Sequence, residues 1–146
     1  MSIFSKACEY GIRATLHIAT QSQAGRRVSL HEIAEAIASP QAFTAKILQQ
    51  LVRHQIIDSM KGPGGGFEMN KERREKIHLN HLVYAIDGDQ VYKGCGLGLK
   101  ECNEDKPCPV HDQFKIIRDE LKEMLENTSI ATLVHQLENG NTFLKR

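Results

Sequence analysis

Three cysteines and a histidine cluster in the second half of the chain: Cys95, Cys102, Cys108 and His111. Six residues lie between the first two cysteines and five between the next two, and His111 follows Cys108 by three positions. Three thiolates and an imidazole are soft or borderline ligands, the kind of set that holds zinc or an iron–sulfur cluster. Their spacing is neither that of paired zinc-ribbon cysteines nor that of the common ferredoxin patterns, so redox thiols and ordinary loop cysteines stay open beside a metal centre. The stretch from Gly88 through Gly94-Cys95-Gly96-Leu97-Gly98 to Pro107-Cys108-Pro109 is rich in Gly and Pro and reads as neither helix nor strand. Loops longer than about 15 residues inside a small domain usually have a function or are disordered. Cys8 differs from these three: it lies on the apolar stripe of an N-terminal helix and reads as a core thiol.

The segments on either side must position that loop. After it, a helix is predicted over Pro109 to Asn127. Val110, Phe114, Ile117, Leu121, Met124 and Thr128 recur along it in steps of four and three, a heptad-like seam that predicts packing along a partner helix in a dimer. Ser129 then caps a last helix to about Leu137. Ahead of the loop, helical spacing of Phe4, Cys8, Ile12, Leu16 and Ala19 predicts a helix from Ile3 to about Ala24. Ser29 with Glu32 three residues on is a capping box for a second helix, Leu30 to Ile37. Ser39-Pro40 opens a third that runs to about His54. The apolar side of the third is Phe43, Ile47, Leu48, Leu51 and Val52; its open side is Gln41, Ala42, Thr44, Ala45, Lys46 and Gln49. Two short helices joined by a tight turn, the second with a small and polar outer face, predict a helix-turn-helix.

Two short extended segments, Ile56–Lys61 and Phe67–Asn70, flank Gly62-Pro63-Gly64-Gly65-Gly66 and predict a hairpin. Behind a helix-turn-helix such a hairpin is a wing. Its almost bare tip would let backbone amides and Lys61 come close to a phosphate backbone or a minor groove. A basic cluster, Lys71, Arg73, Arg74 and Lys76, follows, then a short helix over Asn80–Asp87. The predicted fold class is mainly α: a winged helix-turn-helix domain with a β-hairpin wing over residues 1–87, a cysteine-rich loop over 88–109, and a dimerisation helix with a terminal helix over 110–146.

Charge is consistent with that division. The 146 residues carry a formal net charge of +1, which alone would disfavour a nucleic-acid partner. Residues 1–80, however, hold 11 Lys/Arg against 7 Asp/Glu, and residues 81–146 hold 8 against 11. A basic first half joined to an acidic second half fits a nucleic-acid-binding segment fused to a sensor or partner segment. No apolar run reaches the ~18–20 residues that span a bilayer, and the first residues lack a signal-peptide pattern. A cytoplasmic protein without membrane attachment is expected, with cysteines that do not form a disulfide framework. Nothing resembles a nucleotide-binding glycine motif after a strand or a catalytic triad, and Gly62–Gly66 lacks the Lys-Ser/Thr of a P-loop. An enzyme is therefore not expected. An electron carrier and a zinc-stabilised winged-helix adaptor are the competing classes.

Several of these residues combine into a known pattern: Ser5-Lys6, Tyr10 and Arg13-Ala14; Pro40–Leu51 as recognition helix; Lys61-Gly62-Pro63-Gly64-Gly65-Gly66-Phe67; Leu82-Val83-Tyr84-Ala85-Ile86-Asp87-Gly88; and three cysteines before a long helix. Over essentially its whole length the chain resembles the IscR/NsrR (Rrf-two) family of bacterial winged-helix transcriptional regulators. The resemblance implies a homodimer with crossing long helices, paired on a dyad-symmetric double-stranded DNA operator. It also implies an iron–sulfur cluster on Cys95, Cys102 and Cys108 that senses iron–sulfur status, nitric oxide, oxygen or redox state. His111 matches the histidine that completes a 2Fe–2S site in IscR-like members and is the preferred fourth ligand. Glu9 matches, with a one-residue offset, an acidic ligand supplied by the other subunit to a 4Fe–4S cluster in NsrR-like members. The six-residue first gap departs from the shorter gap of IscR. Members without a cluster work through thiols or a bound partner. Gln41, Ala42, Thr44, Ala45, Lys46 and Gln49 would face the major groove, and Lys61, Gly62, Pro63, Gly64 and Gly65 would form the wing contact. Ala45 stands where IscR has a glutamate used in discrimination, which implies a different operator.

Overall fold

A computed structural model describes residues 3–145. Its elements follow in the order α1 (Lys6–Gln23), α2 (Leu30–Ala36), α3 (Gln41–Arg53), β1 (Asp58–Met60), β2 (Gly66–Glu68), α4 (Lys71–Lys76), α5 (Leu79–Asp87), α6 (Gln90–Lys93), α7 (His111–Asn127) and α8 (Ile130–Glu138). The two strands form one antiparallel hairpin with Ser59 opposite Phe67. Val28 adds an antiparallel bridge to Phe67, so the chain entering α2 acts as a third, one-residue strand. The fold is thus mainly helical with a winged hairpin, as the sequence predicts.

Short polar side chains start the helices by accepting from backbone N–H groups that lack helical partners. Ser5 Oγ accepts from Cys8 N at 3.0 Å, Ser29 Oγ from Glu32 N at 3.2 Å, and Ser129 Oγ from Thr132 N at 3.1 Å. The start of α3 differs from expectation by one position. Pro40 is the N-cap, and Ser39 bonds through its hydroxyl to Thr44 Oγ1. Two helices were not legible in the sequence. Asn70 Oδ1 accepts from Arg73 N at 2.8 Å and so turns the basic cluster into α4. Within α4, Arg73 pairs with Asp58 at 2.8 Å and Lys76 with Glu72 at 2.7 Å, so part of that cluster's charge is answered inside the domain. The short α6 lies inside the segment read as loop.

One core serves the whole chain. Ile18 of α1, Ile33 of α2, Ile47, Leu48 and Leu51 of α3, and Leu82 of α5 are fully buried together with Leu125 of α7 and Ile130 and Val134 of α8. Each such side chain contributes about 1.5–3 kcal/mol by leaving water. The terminal helix α8 packs on α1 and α4. Backbone bonds hold it there: Leu79 N–H donates to Thr128 O at 2.9 Å, and Ile130 N–H to Ile77 O at 3.0 Å.

The expected seam on the long helix is split. Phe114 and Leu121 are half-buried, and Leu121 packs against the core beside buried Leu125. Ile117 and Met124 are 59% and 49% exposed, as is neighbouring Ile116 at 60%. Successive residues of an α-helix are turned by about 100°, which puts 114, 121 and 125 on one side and 116, 117 and 124 off it. Residues 114, 121 and 125 therefore face the chain's own domain, and 116, 117 and 124 face outward.

Candidate DNA-binding face and cysteine centre

The third helix exposes Gln41, Ala42, Lys46 and Gln49, with Ala45 half-buried among them. Thr44 is the correction on this face. It is fully buried, and its hydroxyl donates to Pro40 O at 2.8 Å and bonds Ser39. Phe43, read as core, is 36% exposed instead. It packs edge-on against Tyr10 of α1, with ring centroids 5.8 Å apart. Arg13 and Lys6 lie over the same Tyr10 ring at 4.9 and 5.4 Å. The start of α3 is therefore flanked by an aromatic pair carrying two cations.

At the wing, Lys61, Gly62, Pro63 and Gly64 are exposed and Gly65 is half-buried. A Cβ on Gly65 would lie 2.2 Å from Met60 O, so the tight turn admits only glycine there. Arg26 and Arg27, in the turn after α1, line a cleft with Gly64 and Gly65. Arg27 bonds Gly64 O at 3.4 Å and pairs with Glu68 at 3.1 Å. The fold brings Arg27 back onto the wing, a placement with no local signal in the sequence.

The cysteine loop spans the gap between α6 and α7. Cys95, Cys102 and Cys108 are half-buried and none forms a disulfide. Cys102 Sγ lies 3.3 Å from Nδ1 of His111, and His111 is only 7% exposed at the start of α7. Leu97 N–H donates to Cys95 Sγ at 3.4 Å. Hydrogen bonds from the backbone of Leu97 and Leu99, with a smaller contribution from the Cys108 side chain, hold the Cys95 thiol below its ordinary pKa. Of the four donors, Cys102 and His111 stand side by side, and Cys95 lines the same cleft. Among the described residues no three His, Cys, Asp or Glu side chains are gathered tightly enough to hold a single metal ion. Cys95, Cys102 and His111 line an open cleft of about 630 Å³ together with Arg118. Glu9, on α1, pairs with Lys6 at 3.8 Å and is not part of that cleft's lining.

Cys8 has the opposite environment. It is fully buried. Burial first, and then the nearby charge of Asp87, push its pKa up to about 12. It is a core thiol.

Residues 4–136 match the Rrf2 family, described as an iron-dependent transcriptional regulator. The chain belongs to the Rrf2 family. This Rrf2 protein is 30% identical over 135 residues to an HTH-type transcriptional regulator of Aquifex aeolicus, covering 91% of this chain and 92% of that one. It is 27% identical to the HTH-type transcriptional regulator IscR of Pectobacterium atrosepticum over 94% of its own length and 82% of the relative's. Two solved structures share the fold. CymR, the global cysteine regulator of B. subtilis, superposes with a TM-score of 0.74 at 20% identity, covering 92% of this chain and 98% of that one. IscR of T. potens does so with 0.72 at 16% identity, covering 95% and 90%. As an Rrf2 member the chain is a transcriptional regulator, and among the described residues no helix is long and apolar enough to cross a membrane.

Two further features of this Rrf2 chain escaped the sequence reading. Phe114 closes on Gly96, where a Cβ would lie 2.3 Å from its ring. Arg118 donates to Gly94 O at 2.6 Å and to Cys102 Sγ at 3.2 Å. The only hint in the sequence was their position one and two turns after His111 on the same helical face.

Proposed function

We propose that the protein is a homodimeric, DNA-binding transcriptional regulator of the cytoplasm whose operator affinity is set by an iron–sulfur cluster. Cys95, Cys102, Cys108 and His111 are its ligands in this reading. The observation that carries it is the Cys102–His111 pair, a thiol 3.3 Å from a buried imidazole, in a cleft shared with Cys95. The donor set fits such a group. Three thiols and one imidazole are suitably soft ligands, and a mixed sulfur and nitrogen set of four is one that iron–sulfur centres use. That arrangement favours 2Fe–2S, with 4Fe–4S and Glu9 of a second copy as the alternative. When bound, the cluster supplies a redox- and nitric-oxide-sensitive link between the loop and α7.

The chain's own residues carry the coupling. The loop begins directly after Asp87, whose carboxylate accepts from Ser5 N at 3.0 Å and also bonds the Ser5 hydroxyl. A change in the loop therefore acts on the start of α1 and, at its other end, on the start of α7. In a dimer joined through α7, such shifts alter the spacing of the two α3 helices relative to one turn of DNA, about 34 Å. Gln41, Ala42, Ala45, Lys46 and Gln49 face the major groove; Lys61 and the Gly62–Gly65 tip approach the backbone beside it. Ala45 leaves one position of the recognition face without a polar reader.

A second reading is a cluster-free thiol switch, favoured by the Cys95–Cys108 contact and the lowered Cys95 pKa. Anaerobic purification separates the two. Visible absorption with iron and sulfide in the protein supports the cluster; colourless protein with stoichiometric zinc, or thiols alone, removes it. In the coloured protein His111→Ala is expected to change the visible and electron-paramagnetic spectra, and Glu9→Ala to leave them unaltered. The reverse result would move the fourth ligand to Glu9.

A further inference from the structure

One face of α7 closes the cysteine loop from below. His111, Phe114 and Arg118 follow one another at one-turn intervals and meet, in order, Cys102, Gly96, and Gly94 with Cys102. Arg118 is the only cation in this row. Its Nη1 donates to Gly94 O at 2.6 Å and its Nη2 to Cys102 Sγ at 3.2 Å. Its Nε is buried and has no partner among the described residues.

Nor does a carboxylate neutralise it among those residues. The nearby Asp119 pairs with Lys115 at 3.0 Å. A guanidinium presents five N–H donors in a fixed fork, and an enclosed donor without an acceptor is costly. The sulfur of Cys102 is therefore an acceptor that the Arg118 fork reaches together with Gly94 O. The unused Nε–H is a buried donor beside the cleft that Cys95, Cys102 and His111 line.

We infer that Arg118 is a positioning residue for the sensor. It ties Gly94 and Cys102 to α7 whether or not the centre is filled. With the centre filled, it also donates a charge-assisted hydrogen bond to the sulfur of Cys102. The second role rests on the cluster reading above; the first does not. Hydrogen bonds and positive charge at a ligating sulfur favour the more reduced, more negative state of the group and raise its potential. A lysine can supply the charge but not the fork that spans a carbonyl and a sulfur.

Two measurements on the full-length chain test this, using Arg118→Gln and Arg118→Lys. In metal-free protein, amide hydrogen exchange of residues 94–102 is expected to accelerate about tenfold in Arg118→Gln, the worth of a lost charged hydrogen bond. Exchange in α1 and α3 should be unchanged. Unaltered exchange over 94–102 overturns the proposal, and equal acceleration across α1 and α3 overturns it in favour of general destabilisation. In protein reconstituted with iron and sulfide, the midpoint potential is expected to fall in Arg118→Gln and to fall less in Arg118→Lys. A potential equal to wild type in both variants would overturn the sulfur-donor role. If the wild type takes up no iron and sulfide, the cluster reading and the donor role fail together, and the exchange result alone decides the tie to α7.

Discussion

Cys8 and the three loop cysteines are the same residue type in opposite surroundings, and that contrast decides what each can do. Burial and Asp87 hold Cys8 as a neutral thiol with a pKa pushed up to about 12 from an ordinary value of 9.0. The unfolded chain releases this proton at lower pH than the folded one. The stabilisation is therefore fully present below about pH 9 and is lost as pH rises toward about 12. In urea titrations, wild type is expected to lose stability between about pH 8 and 10 more steeply than Cys8→Ala, by up to about 1.4 kcal/mol per pH unit. Equal slopes would mean the thiol is not protected. Thr44 teaches a related lesson. Its polarity placed it on the open face by pattern, yet its hydroxyl is satisfied by Pro40 and Ser39 and so can be buried. Phe43 is exposed in exchange because Tyr10 offers it an aromatic partner outside the core.

The wing is the element whose form depends most on a single residue type. Gly62, Gly64 and Gly66 adopt positive φ, and Gly65 is pressed against the carbonyls of Met60 and Gly62. Gly65→Ala is expected to distort the tip and weaken operator binding about tenfold or more while leaving the helical circular dichroism unchanged, because the tip residues belong to no helix. Binding at wild-type strength in a gel-shift titration would show that the tip takes no part. The hairpin was legible in the sequence because a Gly/Pro run between two extended segments has few other solutions. The α4 helix was not, because alternating charges without an apolar stripe give no periodic signal; only the Asn70 cap and the ion pair to Asp58 mark it.

For the whole molecule, the deciding feature is the outer face of α7. Ile116, Ile117 and Met124 are roughly half exposed on a 17-residue helix, while Phe114, Leu121 and Leu125 turn inward. An apolar stripe left in water on a long helix is the surface a second copy would cover. If the proposed homodimer forms through this face, Ile117→Asp combined with Met124→Lys is expected to sediment as a monomer and to lower operator affinity by about a hundredfold or more, as paired half-sites are lost. A variant that sediments as wild type would place the dimer interface elsewhere.

The helix-turn-helix, the wing and the loop that carries three cysteines were legible in the chain itself. They rest on local rules: caps at Ser29 and Ser129, helical spacing of apolar residues, glycines at a turn, and ligand types close along a loop. The tertiary structure alone decided which cysteine stands by which donor, that Thr44 is inside and Phe43 outside, and that Arg27 returns to the wing. It also placed Arg118 on the sulfur of Cys102. Each of these is set by contacts between residues far apart in the chain or on a shared helical face, where packing and polar satisfaction outweigh the periodic pattern from which sequence reasoning starts.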